Sequence, residues 1–274
     1  MMMNENVEAK GPIVLITDFG LSDPFVGQMK GVIAGISPQT HVINLCHHVP
    51  PMNVLVAAMF LRGSRKFFPP GSIFIVVVDP GVGTARNAVM VKAGDQYFVA
   101  PDNGCITPTI HSLGSWEGVR IENPAYLADK ISPTFHGRDI FAPAAAHLAS
   151  GVPMKSFGPR VESLVPIDQP LPELVGSEVH GRIIYIDHFG NAWTNIYQEF
   201  LEEIGWLKQA ENIVTTVASC RIKGLRETYL TDKQNKPITL INSFDLVEVA
   251  WPGGNAKDKL RLWEGVWVDM NLAT

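Results

Sequence analysis

The chain has 274 residues, 46% of them hydrophobic and 18% charged, a balance that supports one large or two smaller packed domains and excludes wholesale disorder. Lys plus Arg total 22 against 27 Asp plus Glu, a formal net charge of −5 with no basic run, which argues against nucleic acid as a partner. The longest purely aliphatic and aromatic run, Ile73 to Val78, falls far short of the ~20 apolar residues that a bilayer span needs, so no membrane segment is expected.

Residues 1–11 open on the polar stretch MMMNENVEAK, which lacks the apolar core of a secretory leader and reads as a flexible start. An α/β domain is expected over 12–165. Ile13 to Ile16 reads as a strand, Val26 to Ile36 as a helix, His41 to Leu45 as a strand and Val54 to Phe60 as a buried helix. Ser72 to Val78 is apolar on both faces, the pattern of a central strand in a mainly parallel sheet covered by helices. Ala88 to Lys92 and Gln96 to Ala100 flank Ala93, Gly94 and Asp95 and read as a hairpin added to that sheet. A helical stretch from Asp139 to Ser150 closes the domain.

Three prolines at 166, 170 and 172 hold their neighbours extended and mark 166–174 as a linker. Beyond it, over 175–274, Gly181 to Asp187, Ile213 to Val217, Ile238 to Asn242, Leu246 to Ala250 and Gly265 to Asp269 are short strand-like runs between turn residues. They predict a smaller all-β domain, a barrel or a sandwich. The three cysteines, Cys46, Cys105 and Cys220, are widely spaced and odd in number. They fit neither a disulfide framework nor a CxxC metal knuckle, and a reducing cytoplasm is the expected location.

Ligands of α/β sheets gather at the carboxyl ends of the strands, and three polar segments fall there. Asp18, in Thr17-Asp18-Phe19-Gly20, could accept both hydroxyls of a ribose or cap the following helix. Asp79 to Arg86, DPGVGTAR, follows the most apolar strand; it satisfies neither the P-loop nor the dinucleotide fingerprint. What remains is a carboxylate and an arginine seven residues apart, an ion pair that either serves a site or steadies a turn. His136, beside Gly137 before an Ala-rich helix, could approach a ligand closely or serve as an ordinary hydrogen-bonding residue. His47 and His48 are adjacent and read as structural. Together with Asp18, Asp79 and Asp139 they could surround a metal, but their spacing matches no HxH or HExxH pattern.

The second domain offers Asp187-His188-Phe189-Gly190-Asn191, then Trp193, Thr194 and Asn195, either a tight turn or a seat for a polar zwitterion beside an aromatic ring. Asn242-Ser243-Phe244 has the same character, and Trp251-Pro252-Gly253-Gly254-Asn255-Ala256 is a Gly-rich loop that could lie against a flat base.

Taken together, ITDFG with SDPFVGQMKG (16–31), VVDPGVGTAR (77–86), APDNG (100–104), PTFHGRDIFAPAAAHLA (133–149), IDHFGN with TNI (186–196), INSF and GGNA resemble the S-adenosyl-L-methionine (SAM) hydrolases. These are also called SAM hydroxide adenosyltransferases and are relatives of the fluorinases and chlorinases. The resemblance implies an N-terminal α/β domain, a C-terminal β-barrel and a homotrimer with active sites at subunit interfaces, and it calls for no cofactor. It implies that Asp18 binds the ribose hydroxyls, and that Asp187 and Ser243 hold the methionine amino and carboxylate groups. Phe189 and Asn191 would shape the same region and the adenine edge, with Gly253 in the loop facing the base. Phe244 and Trp251 stand where the halogenases have arginines. The hydrolytic triad would be Asp79, Arg86 and His136, whereas the halogenases resemble a dry halide site with tyrosine at the position of Asp79.

An anionic Asp79 would repel a halide but can hold a water. The implied reaction is attack of that water on the ribose C5′ in line with the sulfonium, giving adenosine and L-methionine. The sulfonium leaves as a neutral thioether, so departure needs neither a general acid nor a metal. A halogenase, a non-catalytic SAM or adenosine sensor, and a metal-dependent phosphoesterase are the competing readings.

Overall fold

Ile13–Thr17, IVLIT, forms β1 with every residue buried, as a strand covered on both faces must be. It belongs to a computed structural model that describes residues 8–168, 171–230 and 235–273, in which the chain divides after Asp168 into two compact units. In the first unit β1 is followed by α1 (Phe25–Ile36), β2 (Val42–Cys46), α2 (Val54–Ser64), β3 (Ile73–Val77), β4 (Ala88–Ala93), β5 (Gln96–Pro101), α3 (Thr107–Ser112), β6 (Trp116–Arg120) and α4 (Ala142–Ala149). The strand order is β2-β1-β3-β5-β4-β6. The pairs β2–β1, β1–β3 and β3–β5 are parallel, while β4 runs antiparallel to both of its neighbours.

Alternation along the strands sends side chains to two cores. Ile13 and Leu15 of β1 and Ile73, Ile75 and Val77 of β3 meet Val26, Met29 and Ile33 of α1 and the alanines of α4. The small α4 residues let the helix lie close to the sheet. On the opposite face Phe74 stacks on Phe98 at 5.6 Å. Each fully buried aliphatic or aromatic side chain contributes about 1.5–3 kcal/mol relative to exposure, so this doubly covered sheet is a stiff platform for the loops at its ends.

The chain goes from β1 outward to β2 and returns on the other side of β1 as β3. The strand order therefore reverses between β1 and β3, where open α/β sheets place their ligands. Asp18 directly follows β1 and Asp79 lies two residues past β3.

The regular elements expected from periodicity in this unit are present, with additions and changes. Residues 1–7 of the segment read as flexible lie outside the described residues. Residues 8–11 are held: Ala9 is buried and the Gly11 N–H donates to the Gly71 carbonyl at 3.0 Å. The helix expected from Asp139 begins earlier, as a π-helical turn over Gly137–Phe141 that runs into α4. At the head of the stretch read as linker, the Val165 N–H donates to Asp102 Oδ1 at 2.9 Å and its carbonyl accepts from Thr107 Oγ1 at 2.6 Å. Gln169 and Pro170 of that stretch lie outside the described residues.

The second unit contains β7 (Glu173–Val175), β8 (Glu178–Ile186), β9 (Ala192–Tyr197), α5 (Gln198–Glu203), β10 (Ile213–Val217), β11 (Cys220–Lys223), β12 (Leu225–Arg226), β13 (Ile238–Ile241), β14 (Leu246–Ala250), α6 (Ala256–Leu260) and β15 (Trp267–Leu272). Its sheet runs β11-β10-β15-β8-β9-β14-β13-β12, with β7 on β8. Register shifts in β8–β9 and β14–β9 are the irregularities that bend a sheet, and the result is nearly barrel-shaped. The expected all-β character needs correction, because α5, α6 and a 3-10 stretch over Trp206–Asn212 interrupt the strands. The helical residues Leu201, Trp206 and Ala256 join the core of Val179, Ile196 and Val249, so these short helices plug openings that the strands leave.

Candidate active site

Arg86 holds Asp79 from the side. Its Nε donates to Asp79 Oδ1 at 3.0 Å and Oδ2 at 2.9 Å, and its Nη2 donates to Oδ2 as well. The side chains are 10% and 5% exposed, so the pair is shielded from the solvent that makes surface ion pairs weak. The guanidinium lies over the Phe141 ring at 5.3 Å, and Nη2 also donates to His136 Nδ1 at 2.7 Å. One arginine thus joins a residue beyond β3 to a residue at the mouth of the α4 segment. The same guanidinium therefore carries both a carboxylate and a third ionisable group.

That contact fixes the histidine's state. A guanidinium has donors only, so Nδ1 must present its lone pair and the ring proton belongs on Nε2. Burial, then the Arg86 charge, push the His136 pKa below its ordinary value, against the opposing pull of Asp79 and Asp139. His136 is therefore neutral near pH 7, a donor through Nε2 only. Asp79 Oδ1 accepts one hydrogen bond from Arg86 and keeps a lone pair for another donor. A free carboxylate lone pair and an imidazole N–H on one guanidinium are what orienting a water requires.

The loop has further supports. Asn103 Nδ2 donates to the Val78 carbonyl at 2.9 Å, which fixes the backbone just before Asp79. Gly83 has φ +77, and a Cβ there would lie 2.4 Å from the Pro133 carbonyl oxygen; the Asp79–Arg86 loop can lie against the segment leading to His136 because that position is glycine. Gly137 sits against an apolar wall, where a Cβ would come within 3.1 Å of the Phe19 and Phe135 rings. Cys105, fully buried, has its thiol pKa raised by burial and by the Asp79 charge, so it is not a nucleophile.

Asp18 does not cap α1, whose N-cap is Pro24 without a side-chain bond. Its Oδ2 instead accepts the Met52 N–H at 2.9 Å, leaving Oδ1 for a further donor at the end of β1. His47 and His48 diverge, the first buried and the second exposed. Thr17 Oγ1 meets His47 Nδ1 at 2.8 Å and the Gly20 N–H donates to the His47 carbonyl at 2.7 Å, so His47 ties the Asp18 loop to the end of β2. Among the described residues, no group of three or more His, Cys, Asp or Glu side chains is gathered as a metal would require.

His47 yields a stability prediction. Burial, aided by Lys30 and His48, lowers its pKa from 6.5 to about 4. The unfolded chain then takes up the proton first as pH falls, so the stability conferred by neutral His47 is whole above pH 6.5 and is lost progressively toward pH 4. Chemical denaturation across that interval should record a loss of up to about 3 kcal/mol from this residue. His47→Gln should flatten that part of the curve; an unchanged slope would assign the acid limb to other groups.

In the second unit Asp187 closes a tight turn. Its Oδ1 accepts the Phe189 N–H at 2.9 Å and the Asn191 N–H at 2.8 Å, and its Oδ2 accepts Asn191 Nδ2 at 3.2 Å. Phe189 projects from this turn 74% exposed, whereas Asn191 is buried. Ser243 is exposed, and Phe244 lies against Trp193 with ring centroids 4.6 Å apart. Trp251 donates through Nε1 to Asn235 Oδ1 at 2.7 Å, and Lys259 covers its ring at 4.8 Å. Gly253 turns with φ +70 and open space around it. Sequence reasoning assigned nothing to Asn103, Phe141, Tyr229 or Glu248. Asn103 and Phe141 were at least visible within APDNG and PTFHGRDIFAPAAAHLA, whereas Tyr229 and Glu248 are brought together only by the fold.

Two family descriptions match this chain: the SAM hydroxide adenosyltransferase N-terminal domain over residues 13–158 and the C-terminal domain over 181–269. An (R)-S-adenosyl-L-methionine hydrolase of Salinispora arenicola is 36% identical over 261 residues, covering 92% of this chain and 95% of that one. A fluorinase of Nocardia brasiliensis is 30% identical over 220 residues, covering 70% and 73%. A crystal structure of an uncharacterized conserved protein from Thermotoga maritima superimposes with a TM-score of 0.86 at 36% identity, covering 94% of this chain and 99% of that one.

Proposed function

The chain belongs to the SAM hydroxide adenosyltransferase family, and we propose that it hydrolyses S-adenosyl-L-methionine at the ribose C5′, releasing adenosine and L-methionine. The observation that carries this is the hydrogen-bonded Asp79–Arg86–His136 cluster at the carboxyl end of β3. Asp79 Oδ1 would accept one hydrogen of a water, and His136 Nε2–H would donate to one of its lone pairs. The remaining lone pair would face C5′. Arg86 orients both partners. As the C5′–O bond forms and the C5′–S bond breaks, the sulfonium takes the electron pair and becomes the thioether of methionine. The water's proton passes to Asp79 and then to solvent.

Asp18, through its unused Oδ1, would take the ribose hydroxyls. Asp187 would receive the ammonium and Ser243 the carboxylate of the methionine moiety. Phe189, Asn191, Phe244, Trp251 and Gly253 would frame the base and the methionine chain. The relatives' name, (R)-S-adenosyl-L-methionine hydrolase, supports (R) as the preferred sulfonium epimer. The reading includes a homotrimer with active sites at subunit interfaces. The exposed rings of Phe189, Trp263 and Trp267 are apolar surface that a partner chain would cover. The three free cysteines are in keeping with a cytoplasmic setting.

The fluorinase relatives keep halogenation as the second reading, and charge balance separates the two. Hydrolysis converts a sulfonium cation and water into two neutral products and one proton, whereas chloride or fluoride attack releases no proton. Purified protein incubated with SAM, a chelator and saturating chloride should yield one proton and one methionine per adenosine, faster with the (R) epimer. A 5′-halo product without proton release would transfer the assignment to the halogenases.

A further inference from the structure

Glu248 is 1% exposed in the middle of β14, yet no cation neutralises it among the described residues. Asp139, equally buried, is paired with Arg138. Burying an unpaired carboxylate is costly unless its lone pairs are satisfied, and here two neutral donors satisfy them. The Tyr229 hydroxyl donates to Oε1 at 2.9 Å and Asn242 Nδ2 donates to Oε2 at 3.2 Å. Burial raises the Glu248 pKa and the Asp187 charge adds to this, while the two hydrogen bonds oppose it.

The effect of the carboxylate is visible at Asn242. Its Oδ1 accepts the Phe244 N–H at 2.9 Å and the Leu246 N–H at 3.2 Å, and its backbone closes the same turn onto Leu246 and Asp245. An amide can be rotated end for end without changing shape. Reversed, Asn242 would aim its NH2 at two backbone donors and its oxygen at the carboxylate. Glu248, an acceptor, selects the orientation in which the turn forms. The turn carries exposed Ser243 at its apex and sets the Phe244 ring on Trp193.

We propose that Glu248 is a positioning residue for the amino-acid end of the substrate, acting by locking the Asn242 amide so that the 242–246 turn presents Ser243 and Phe244. This rests on the reading above, in which Ser243 receives the methionine carboxylate. Four variants test it, each compared with wild-type turnover. Glu248→Leu removes the acceptor and should raise KM for SAM and weaken inhibition by L-methionine about tenfold, the usual consequence of leaving one buried donor unpaired. Turnover at saturation and inhibition by adenosine should stay within about threefold, a split that general loosening of the unit would not produce. Glu248→Gln should remain near wild type, its amide oxygen facing Asn242 and its NH2 donating to the Tyr229 hydroxyl. The double change N242D/E248Q reverses the 242–248 hydrogen bond alone, the new amide donating to the new carboxylate while Tyr229 and the two backbone N–H groups donate as before, and it should also stay near wild type.

A Leu variant with wild-type KM overturns the proposal. So does a Gln variant as impaired as the Leu variant, since the charge rather than the hydrogen bond would then be acting. Should the Leu variant not accumulate, N242D alone and N242D/E248Q decide together: N242D alone sets two carboxylates against each other and should raise KM, the added E248Q should restore it, and a wild-type KM for N242D alone overturns the proposal. Absence of adenosine and methionine from the wild-type reaction would instead remove the hydrolase reading itself, so the two failures are distinct.

Discussion

Asp79→Asn is expected to lower kcat about 10³-fold, the middle of the range for losing a positioned proton acceptor, while the affinity for adenosine changes less than about threefold. The asparagine keeps the shape but replaces one acceptor with an NH2 group. With three contacts from Arg86 already converging on the position, that NH2 must either oppose a guanidinium donor or turn away from it. Either way the oxygen that would receive the water's hydrogen is lost or misplaced. Asp79 touches the nucleophile and not the leaving group in this scheme, so ground-state binding has little reason to change. Steady-state kinetics with adenosine inhibition separate the cases. Parallel losses in turnover and affinity would make Asp79 a binding residue.

Arg86→Ala should cost turnover by a similar ~10³-fold and carry a second signature that Asp79→Asn lacks. In the intact site Arg86 is, after burial, the main cause of the lowered His136 pKa. Without the guanidinium, the Asp79 and Asp139 charges that raise that pKa are opposed by burial alone. His136 should then take up a proton at higher pH, and the acid limb of the residual kcat/KM profile should move upward. Protonated Nδ1 would no longer accept, and the neutral tautomer that offers only Nε2–H would be lost earlier in the titration. An acid limb at the wild-type position would show that the 2.7 Å Arg86–His136 contact does not govern the histidine. Some loss of stability accompanies the change, because Asp79 is left shielded without its partner.

How much of this was legible in the sequence differs between the layers of the structure. β1, β3 and the β4–β5 hairpin were readable because five- and six-residue, mostly apolar runs bounded by Gly, Pro and Asp have few other uses. α3, with six residues, is too short for a 3.6-residue period to register. β6 contains Gly118, which sequence rules read as a break; in the fold a Cβ there would press Val91 Cγ2 at 3.2 Å, so packing against β4 explains the glycine. α5 and α6, with six and five residues, are likewise too short for a helical period to register.

The site follows the same division. Asp79 and Arg86 could be suspected from a carboxylate at a strand end, but nothing in local sequence places His136 on the same guanidinium, fifty residues away. Asp18 reads equally as a helix cap, and only the fold shows that it accepts the Met52 N–H instead of capping α1. Glu248 was invisible for the opposite reason. LVEVA reads as an ordinary strand with a polar residue in the middle, and only the fold brings Tyr229 and Asn242 to that carboxylate. Residues that touch a ligand leave traces in local sequence, whereas those that orient them through long-range contacts leave almost none.

The central claim is that a water held by Asp79 and His136 becomes the 5′ oxygen of adenosine. It is tested most directly by mass spectrometry of the adenosine formed from SAM in ¹⁸O-labelled water over many turnovers. One ¹⁸O atom located at the 5′ position, with L-methionine released in equal amount, is the predicted result. Adenosine without label, or substrate that persists unchanged while bound to the protein, would contradict it.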